Sequence, residues 1–191
     1  MEDLADEELM VLFKRGREDA FELLYERHRG GLYFYLLRMC GDRALAEELM
    51  HDILFKVARA APTYEARGRF RPWLYRIASN HCLNVLASAP HRQEAAVVPL
   101  VALEAAEPAA PRETDPAAQA EARETSAEVR AAIGELEPRY RSAMILRELL
   151  AMNVEDIATA LEVPVGTVKT LLFRGRERLR RRLSGLAREV A

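Results

Sequence analysis

Apolar residues recur at spacings of three and four near the start of the chain: Leu9, Leu12 and Phe13, then Phe21, Leu24 and Tyr25, then Leu45, Leu49, Ile53 and Val57. That period predicts amphipathic helices. Gly41-Asp42 separates two of them, with Asp42 placed to cap the second. Arg71-Pro72 opens another, because proline suits the first helical turn, and its stripe runs through Leu74, Ile77, Ala78 and Leu83. Farther on, Glu137-Pro138 starts a helix carrying Ala143, Leu146, Leu149 and Leu150. Asn153 is placed to cap the next, with Asp156 three positions on. No alternating run of β-branched residues reads as a strand. The pattern stops between Ser88 and Ala127, where five of the nine prolines fall among Ala and Glu without a glycine. Such a segment cannot bury a face, and its prolines interrupt helices. Its one apolar island, Val97-Val98-Pro99-Leu100-Val101, reads as incidental or as a docking strip. The expected fold is all-α: two small helical bundles, residues 1–87 and 128–191, joined by a flexible Ala/Pro/Glu-rich linker over 88–127.

Within the C-terminal bundle, the run from Val154 to Leu172 reads as helix, tight turn, helix. Ile157, Ala158 and Leu161 are expected to face inward, with small Ala158 allowing two helices to approach closely. Glu162-Val163-Pro164 makes the turn, and Val168 and Leu172 are the expected core of the second helix. This is the helix-turn-helix arrangement, whose second helix presents its first residues to base edges in the major groove. Thr167, Lys169 and Thr170 are the polar groups available there. Arg174, Arg176, Arg178, Arg180, Arg181 and Arg182 continue the helix and are expected to meet phosphates. A helical hairpin with a basic surface is the alternative.

Composition bounds the rest. The 191 residues are 50% hydrophobic and 30% charged, with 9 Gly and 2 Cys. That excludes disordered, collagen-like and disulfide-framework classes. No apolar run approaches the ~20 residues needed to span a bilayer. The acidic start, Met1-Glu-Asp-Leu-Ala-Asp-Glu-Glu, is the opposite of a signal peptide, so the expected location is cytoplasmic. A formal net charge of −2 argues at first against nucleic acid. The distribution reverses that reading. Residues 1–87 carry 13 basic and 14 acidic groups, residues 88–127 carry 3 and 7, and residues 128–191 carry 12 and 9. From Ile53 to Arg76 the balance is 6 to 1, and from Lys169 to Ala191 it is 8 to 2. Two basic stretches flank an acidic middle, as two nucleic-acid contact surfaces would, or as two solvated faces would.

Motifs carry a resemblance further. Leu136-Glu-Pro-Arg-Tyr-Arg-Ser-Ala-Met-Ile-Leu-Arg-Glu, Asp156-Ile-Ala, Gly166-Thr-Val-Lys and Arg174-Gly-Arg-Glu-Arg-Leu together resemble region 4 of the extracytoplasmic-function (ECF) sigma factors of RNA polymerase. Asp19-Ala-Phe-Glu-Leu-Leu-Tyr-Glu-Arg-His, Gly41-Asp-Arg-Ala-Leu-Ala-Glu-Glu-Leu and Gly68-Arg-Phe-Arg-Pro-Trp-Leu-Tyr-Arg-Ile-Ala-Ser-Asn resemble their region 2. Both matches run in family order and cover nearly everything but the linker.

The resemblance implies a subunit that brings core polymerase to promoters and opens the duplex. The helix from Ala46 to Phe55 corresponds to the one that docks on the beta-prime clamp helices, and region 4 implies a contact with the beta flap. Glu48, His51 and Asp52 share a face there, and carboxylates can pair with polymerase arginines. His51 departs from the family's Gln. The loop from Ala61 and the helix after it match the −10-reading element. Tyr64, Phe70, Trp73 and Tyr75 supply rings, with Phe70 and Trp73 read as core, and Arg67, Arg69, Arg71 and Arg76 supply charge. Arg76 and Asn80 match positions that contact the −10 element, and an asparagine can read a base edge. After Asn84 the family's acidic residue and basic pair are missing. Thr167, Lys169, Thr170, Arg174 and Arg176 are the −35 candidates. Leu171 replaces the family's usual arginine, either to contact a thymine methyl or to pack.

The resemblance also implies control by an anti-sigma factor held between the bundles, which a tether of about 40 residues, spanning roughly 30–40 Å, permits. No catalytic residues, cofactor, metal site or membrane insertion are expected, because Cys40, Cys82 and the four scattered histidines lack ligand spacing. A sigma-like adaptor that binds only an anti-sigma factor, and a conventional helix-turn-helix repressor or activator, are the competing readings.

Overall fold

A computed structural model describes residues 1, 3–65, 69–88 and 131–189, with side chains as far as residue 184. The described residues are helical, with no strand among them. Helix α1 spans Asp6–Lys14, α2 Glu18–Cys40, α3 Arg43–Ala60 and α4 Phe70–Ser88. Helix α5 spans Pro138–Met144, α6 Val154–Leu161 and α7 Val165–Glu189.

The ends of these helices follow from local chemistry. Asp6, Glu7 and Glu8 crowd the first turn of α1, where the helix dipole favours anions, and the Glu8 carboxylate accepts the Ala5 N–H at 2.8 Å. Helix α2 stops at Gly41, whose φ of 67° is the left-handed cap that glycine adopts without strain. Asp42 then caps α3 as expected, its Oδ1 accepting the Leu45 N–H at 3.0 Å. Asn153 caps α6 in the same way, accepting the Asp156 N–H at 2.8 Å. Helix α4 starts differently. Its Phe70 N–H donates to the Glu7 carboxylate of α1 at 2.8 Å, so a residue from another helix supplies the cap.

Helices α1 to α4 enclose one apolar centre, with Leu9, Met10, Leu24, Tyr35, Leu36, Leu49, Ile53 and Ala78 all buried. From α5 to α7, Ala143, Ile145, Leu146, Ile157, Ala160, Val168 and Leu172 are buried and continue the same apolar core. Val168 and Leu172 are core as read from the sequence. In α6 the phase differs slightly: Ile157 and Ala160 are the buried pair, while Ala158 and Leu161 are only half-buried. Ala160, not Ala158, is therefore the small residue at the close approach. Between α5 and α6 the chain passes through a π-turn, Ile145–Leu149, which the sequence does not announce. Gly175 lets α7 lie close on α5. A methyl group there would stand 2.9 Å from Met144 Cγ.

The two helical bundles expected from the sequence are present, and the described halves pack on one another, with α4 lying most extensively against α6. Tyr35 of α2, fully buried, brings its hydroxyl to Ser142 of α5 at 2.8 Å and to Ser79 of α4 at 3.0 Å. The Arg141 guanidinium donates to the Met39 and Leu136 carbonyls. Arg71 of α4 donates to the Leu150 carbonyl at 2.6 Å, just past the π-turn. The physical reason is the polar residues set in apolar stripes: Tyr35, Arg71 and Arg141 each find a partner in the other bundle, as buried polar groups must find one somewhere. The linker expected over 88–127, including the island at 97–101, lies outside the described residues from 89 onward.

Candidate nucleic-acid and polymerase interfaces

Three surfaces carry the candidate residues. On α3, the stripe Leu45, Leu49, Ile53 and Val57 is buried, which turns Glu48, His51 and Asp52 outward. All three are exposed and lie within one turn. His51 Nδ1 lies 2.9 Å from the Glu47 carbonyl, and Asp52 is 3.0 Å from His81 Nε2 on α4. Phe55 stands on the same face and is 66% exposed, with the Arg59 guanidinium 5.8 Å from its ring centre. Its signal in the sequence was its position two residues off the apolar stripe, at i+7 from Glu48 and i+3 from Asp52. The face is thus acidic with one bare aromatic ring, an arrangement suited to a basic partner with an apolar spot.

The second surface is α4 and the loop before it. Tyr64 is only 2% exposed. Its ring packs edge-on against Trp73 at 4.9 Å and near Phe70 at 6.3 Å, and its carbonyl accepts Lys14 Nζ at 2.7 Å. The expected role of Tyr64 as a stacking ring for an unpaired base therefore does not hold in this conformation, since the ring is spent on the core. Phe70 is core as expected, and Tyr75 is buried as well, which pushes its hydroxyl up to about 12. Arg67 lies outside the described residues. Arg69 is exposed but pairs with Asp156 of α6 at 2.8 Å. Arg76 is half-buried. Asn80 is exposed, and its amide Nδ2 donates to the Glu162 carboxylate at 2.6 Å. Asn80, Arg69 and Arg71 therefore all engage the segment from Leu150 to Glu162. The Asn80 N–H given to Glu162 is not available to a base edge, while the second N–H and the amide oxygen are not engaged by that bond.

The third surface is the start of α7. The Glu162-Val163-Pro164 turn is tight, with Glu162 at φ 52°, and the Pro164 carbonyl accepts the N–H groups of Thr167 and Val168. Burial of Val168 and Leu172 leaves Thr167, Lys169 and Thr170 exposed together, as read from the sequence. The Thr170 hydroxyl is turned back onto the Gly166 carbonyl at 3.0 Å. Leu171 is half-buried and packs in part against the core. Phe173 is 66% exposed and was missed; it falls one residue beyond Leu172 and so off the buried side.

Farther along α7 the arginines divide. Arg176 pairs with Glu148 at 2.6 Å, Arg178 with Glu137 at 2.9 Å and Arg182 with Glu135 at 2.7 Å. Arg178 also lies over the Tyr140 ring at 4.2 Å. Arg178 and Arg182 fasten α7 to the segment before α5, and Arg176 fastens it to the π-turn after α5. Lys169, Arg174 and Arg180 are exposed and make no ion pair with described residues.

The family comparisons agree with this layout. Residues 24–90 match the family model for sigma-70 region 2, and residues 126–179 match that for sigma-70, region 4. The RNA polymerase sigma factor CarQ of Myxococcus xanthus is 32% identical, over 95% of this chain and 99% of CarQ. The ECF RNA polymerase sigma factor SigW of Bacillus subtilis is 27% identical, over 91% of this chain and 94% of SigW. The chain belongs to the ECF group of the sigma-70 family.

The first two surfaces lie within the residues that match sigma-70 region 2, and the third within those that match region 4. A solved sigma factor, RpoE in complex with the anti-sigma factor NepR from Bartonella quintana, shares the fold with a TM-score of 0.65 at 20% identity, over 86% of this chain and 96% of that one. Among the described residues, no helix is long and apolar enough to cross a membrane, and no cluster of His, Cys, Asp or Glu could hold a metal ion.

Proposed function

We propose that this sigma factor docks on core RNA polymerase through Glu48, His51, Asp52 and Phe55, with region 4 meeting the beta flap. It reads and opens the −10 element with Arg69, Arg76 and Asn80, and Arg67 joins them from the preceding loop. It binds the −35 element with Thr167, Lys169, Thr170 and Arg174. The observation that carries this reading is the shared exposure of Thr167, Lys169 and Thr170 at the start of the second helix of a helix-turn-helix, where the major groove would meet them.

Roles within the set differ. Lys169 and Arg174 bring charge that forms no ion pair among the described residues, which suits phosphates. Arg176 is held by Glu148, so its reach to DNA requires exchanging one anion for another. Tyr64 supports the −10 element from beneath, by packing. The domains are proposed as before: a polymerase- and −10-binding part over 1–87, a linker over 88–127 and a −35-binding part over 128–191.

The closed packing of α4 on α6 has a consequence for this function. Asn80 offers its whole amide to a base once Glu162 releases it, so promoter binding favours an opened form. An anti-sigma factor that holds the bundles together, or wedges into their seam, would set the fraction of open molecules. The Bartonella sigma factor was solved in complex with an anti-sigma factor, and a partner of that class is carried over to this chain on that ground. The test is transcription in vitro with core polymerase over a random promoter pool. Enriched promoters with two blocks are expected; promoter-independent synthesis would overturn the reading.

A further inference from the structure

We propose that Cys40 and Cys82 form a reversible dithiol–disulfide site, in which a small peroxide oxidises Cys40 and Cys82 resolves it. The two sulfurs lie 3.9 Å apart although the residues are separated by 42 positions. Cys40 is the last residue of α2, where the chain turns away at Gly41, and is partly exposed. Cys82 continues the buried stripe of α4 through Leu74 and Ala78 and is fully buried. A reagent arriving from solvent therefore meets the Cys40 sulfur first.

Asymmetry in the surroundings assigns the order. Contact with Cys40 and burial raise the Cys82 thiol, which keeps its proton. The Arg141 guanidinium donates to the carbonyl of Met39, the residue before Cys40, which sets a cation beside the pair. A cation there stabilises negative charge on an attacking sulfur. A disulfide formed inside a reducing compartment is characteristically transient and sensing in role, and this pair has the required exposed and resolving members.

The chemistry balances with hydrogen peroxide as oxidant. The Cys40 thiolate attacks one peroxide oxygen, an S–O bond forms, the O–O bond breaks, and the departing hydroxide takes the proton Cys40 gave up. Cys40 is then a sulfenic acid. The Cys82 sulfur attacks the Cys40 sulfur, the S–O bond breaks, and the Cys82 proton leaves with that oxygen as a second water. Two thiols and one peroxide give one disulfide and two waters, and a cellular thiol reverses the change by exchange. None of this depends on how the protein binds promoters.

The full chain is treated with hydrogen peroxide and followed by intact mass, thiol titration and dimedone trapping. We expect a mass loss of about 2 Da with both thiols consumed, reversed by dithiothreitol. Cys82→Ala is expected to stop at a dimedone-trapped Cys40 sulfenic acid, and alanine there leaves no buried hydroxyl to unfold the bundle. Cys40→Ser should lose most of the reaction with peroxide while its circular dichroism is unchanged. The proposal is overturned if the disulfide links two chains, if Cys40→Ser reacts as fast as the parent, or if oxygen adds to one sulfur without loss of mass.

Discussion

Replacing Tyr35 by phenylalanine tests whether the two bundles are docked, because its hydroxyl is the buried polar link between them. Tyr35 has no exposed surface, and the hydroxyl lies 2.8 Å from Ser142 in one bundle and 3.0 Å from Ser79 in the other. Phenylalanine keeps the ring and its edge-on contact with Tyr75 at 5.5 Å, so packing is nearly conserved. Two buried hydrogen bonds are lost, each contributing about 1 kcal/mol net, which sets the expected cost near 2 kcal/mol. Serine hydroxyls in helices can rotate onto a carbonyl one turn back, and this recovers part of it. The expected loss is therefore about 1–2 kcal/mol. Ser142→Ala alone should cost about 1 kcal/mol, since Tyr35 keeps Ser79. In the double variant the shared bond is counted once, giving a coupling of roughly 1 kcal/mol. Urea unfolding followed by circular dichroism measures all four proteins, with an unchanged slope showing that the unfolding unit is the same. Additive losses, with no coupling, would refute the docked arrangement, because a residue in a separate bundle cannot sense Tyr35.

Three further outcomes follow from the interfaces. Glu162→Ala frees the Asn80 amide and is expected to tighten binding of a single-stranded −10 oligonucleotide about two- to fivefold by fluorescence anisotropy, consistent with one exposed charge-assisted bond; weaker binding would show that Glu162 does not compete with DNA. Lys169→Ala and Arg174→Ala should each weaken −35 duplex binding at every sequence and lower the salt slope by about one, whereas Arg178→Ala should leave the slope unchanged and cost stability instead. Gly175→Ala gains helix propensity but drives a methyl group into Met144, so a net loss of about 1–2 kcal/mol is expected in thermal or urea unfolding, and a gain would show that Met144 moves aside freely.

What was legible in the sequence was local. Asp42 and Asn153 act within three residues of their own positions, so their caps could be read directly, and so could the Pro138 and Gly41 boundaries. The exposed set at Thr167, Lys169 and Thr170 followed from the phase of Val168 and Leu172. What escaped depends on residues distant in the chain. The polar positions of α4 do not say that Asn80 meets Glu162 just past the end of α6. Ser79 and Ser142, small polar residues inside apolar stripes, were the overlooked sign of a polar link. The arginine run read as one phosphate-binding face, yet Arg176, Arg178 and Arg182 are occupied by acids 28, 41 and 47 residues away. Tyr64 was misread for the same reason, because a ring before α4 looks alike in sequence whether it faces DNA or Trp73. The π-turn after Met144 has no compositional signal, and only its result is visible, the Leu150 carbonyl offered to Arg71.

The central claim is that this chain gives core polymerase a promoter and opens it. Permanganate footprinting of a selected promoter, with purified core enzyme and the full chain, tests that claim most directly. Reactive thymines are expected within the −10 element only when both proteins are present, and Asn80→Ala should reduce them at least severalfold without removing the complex from core polymerase. A retained complex that leaves every thymine protected, or a footprint unchanged when residues 1–87 are deleted, would contradict the account.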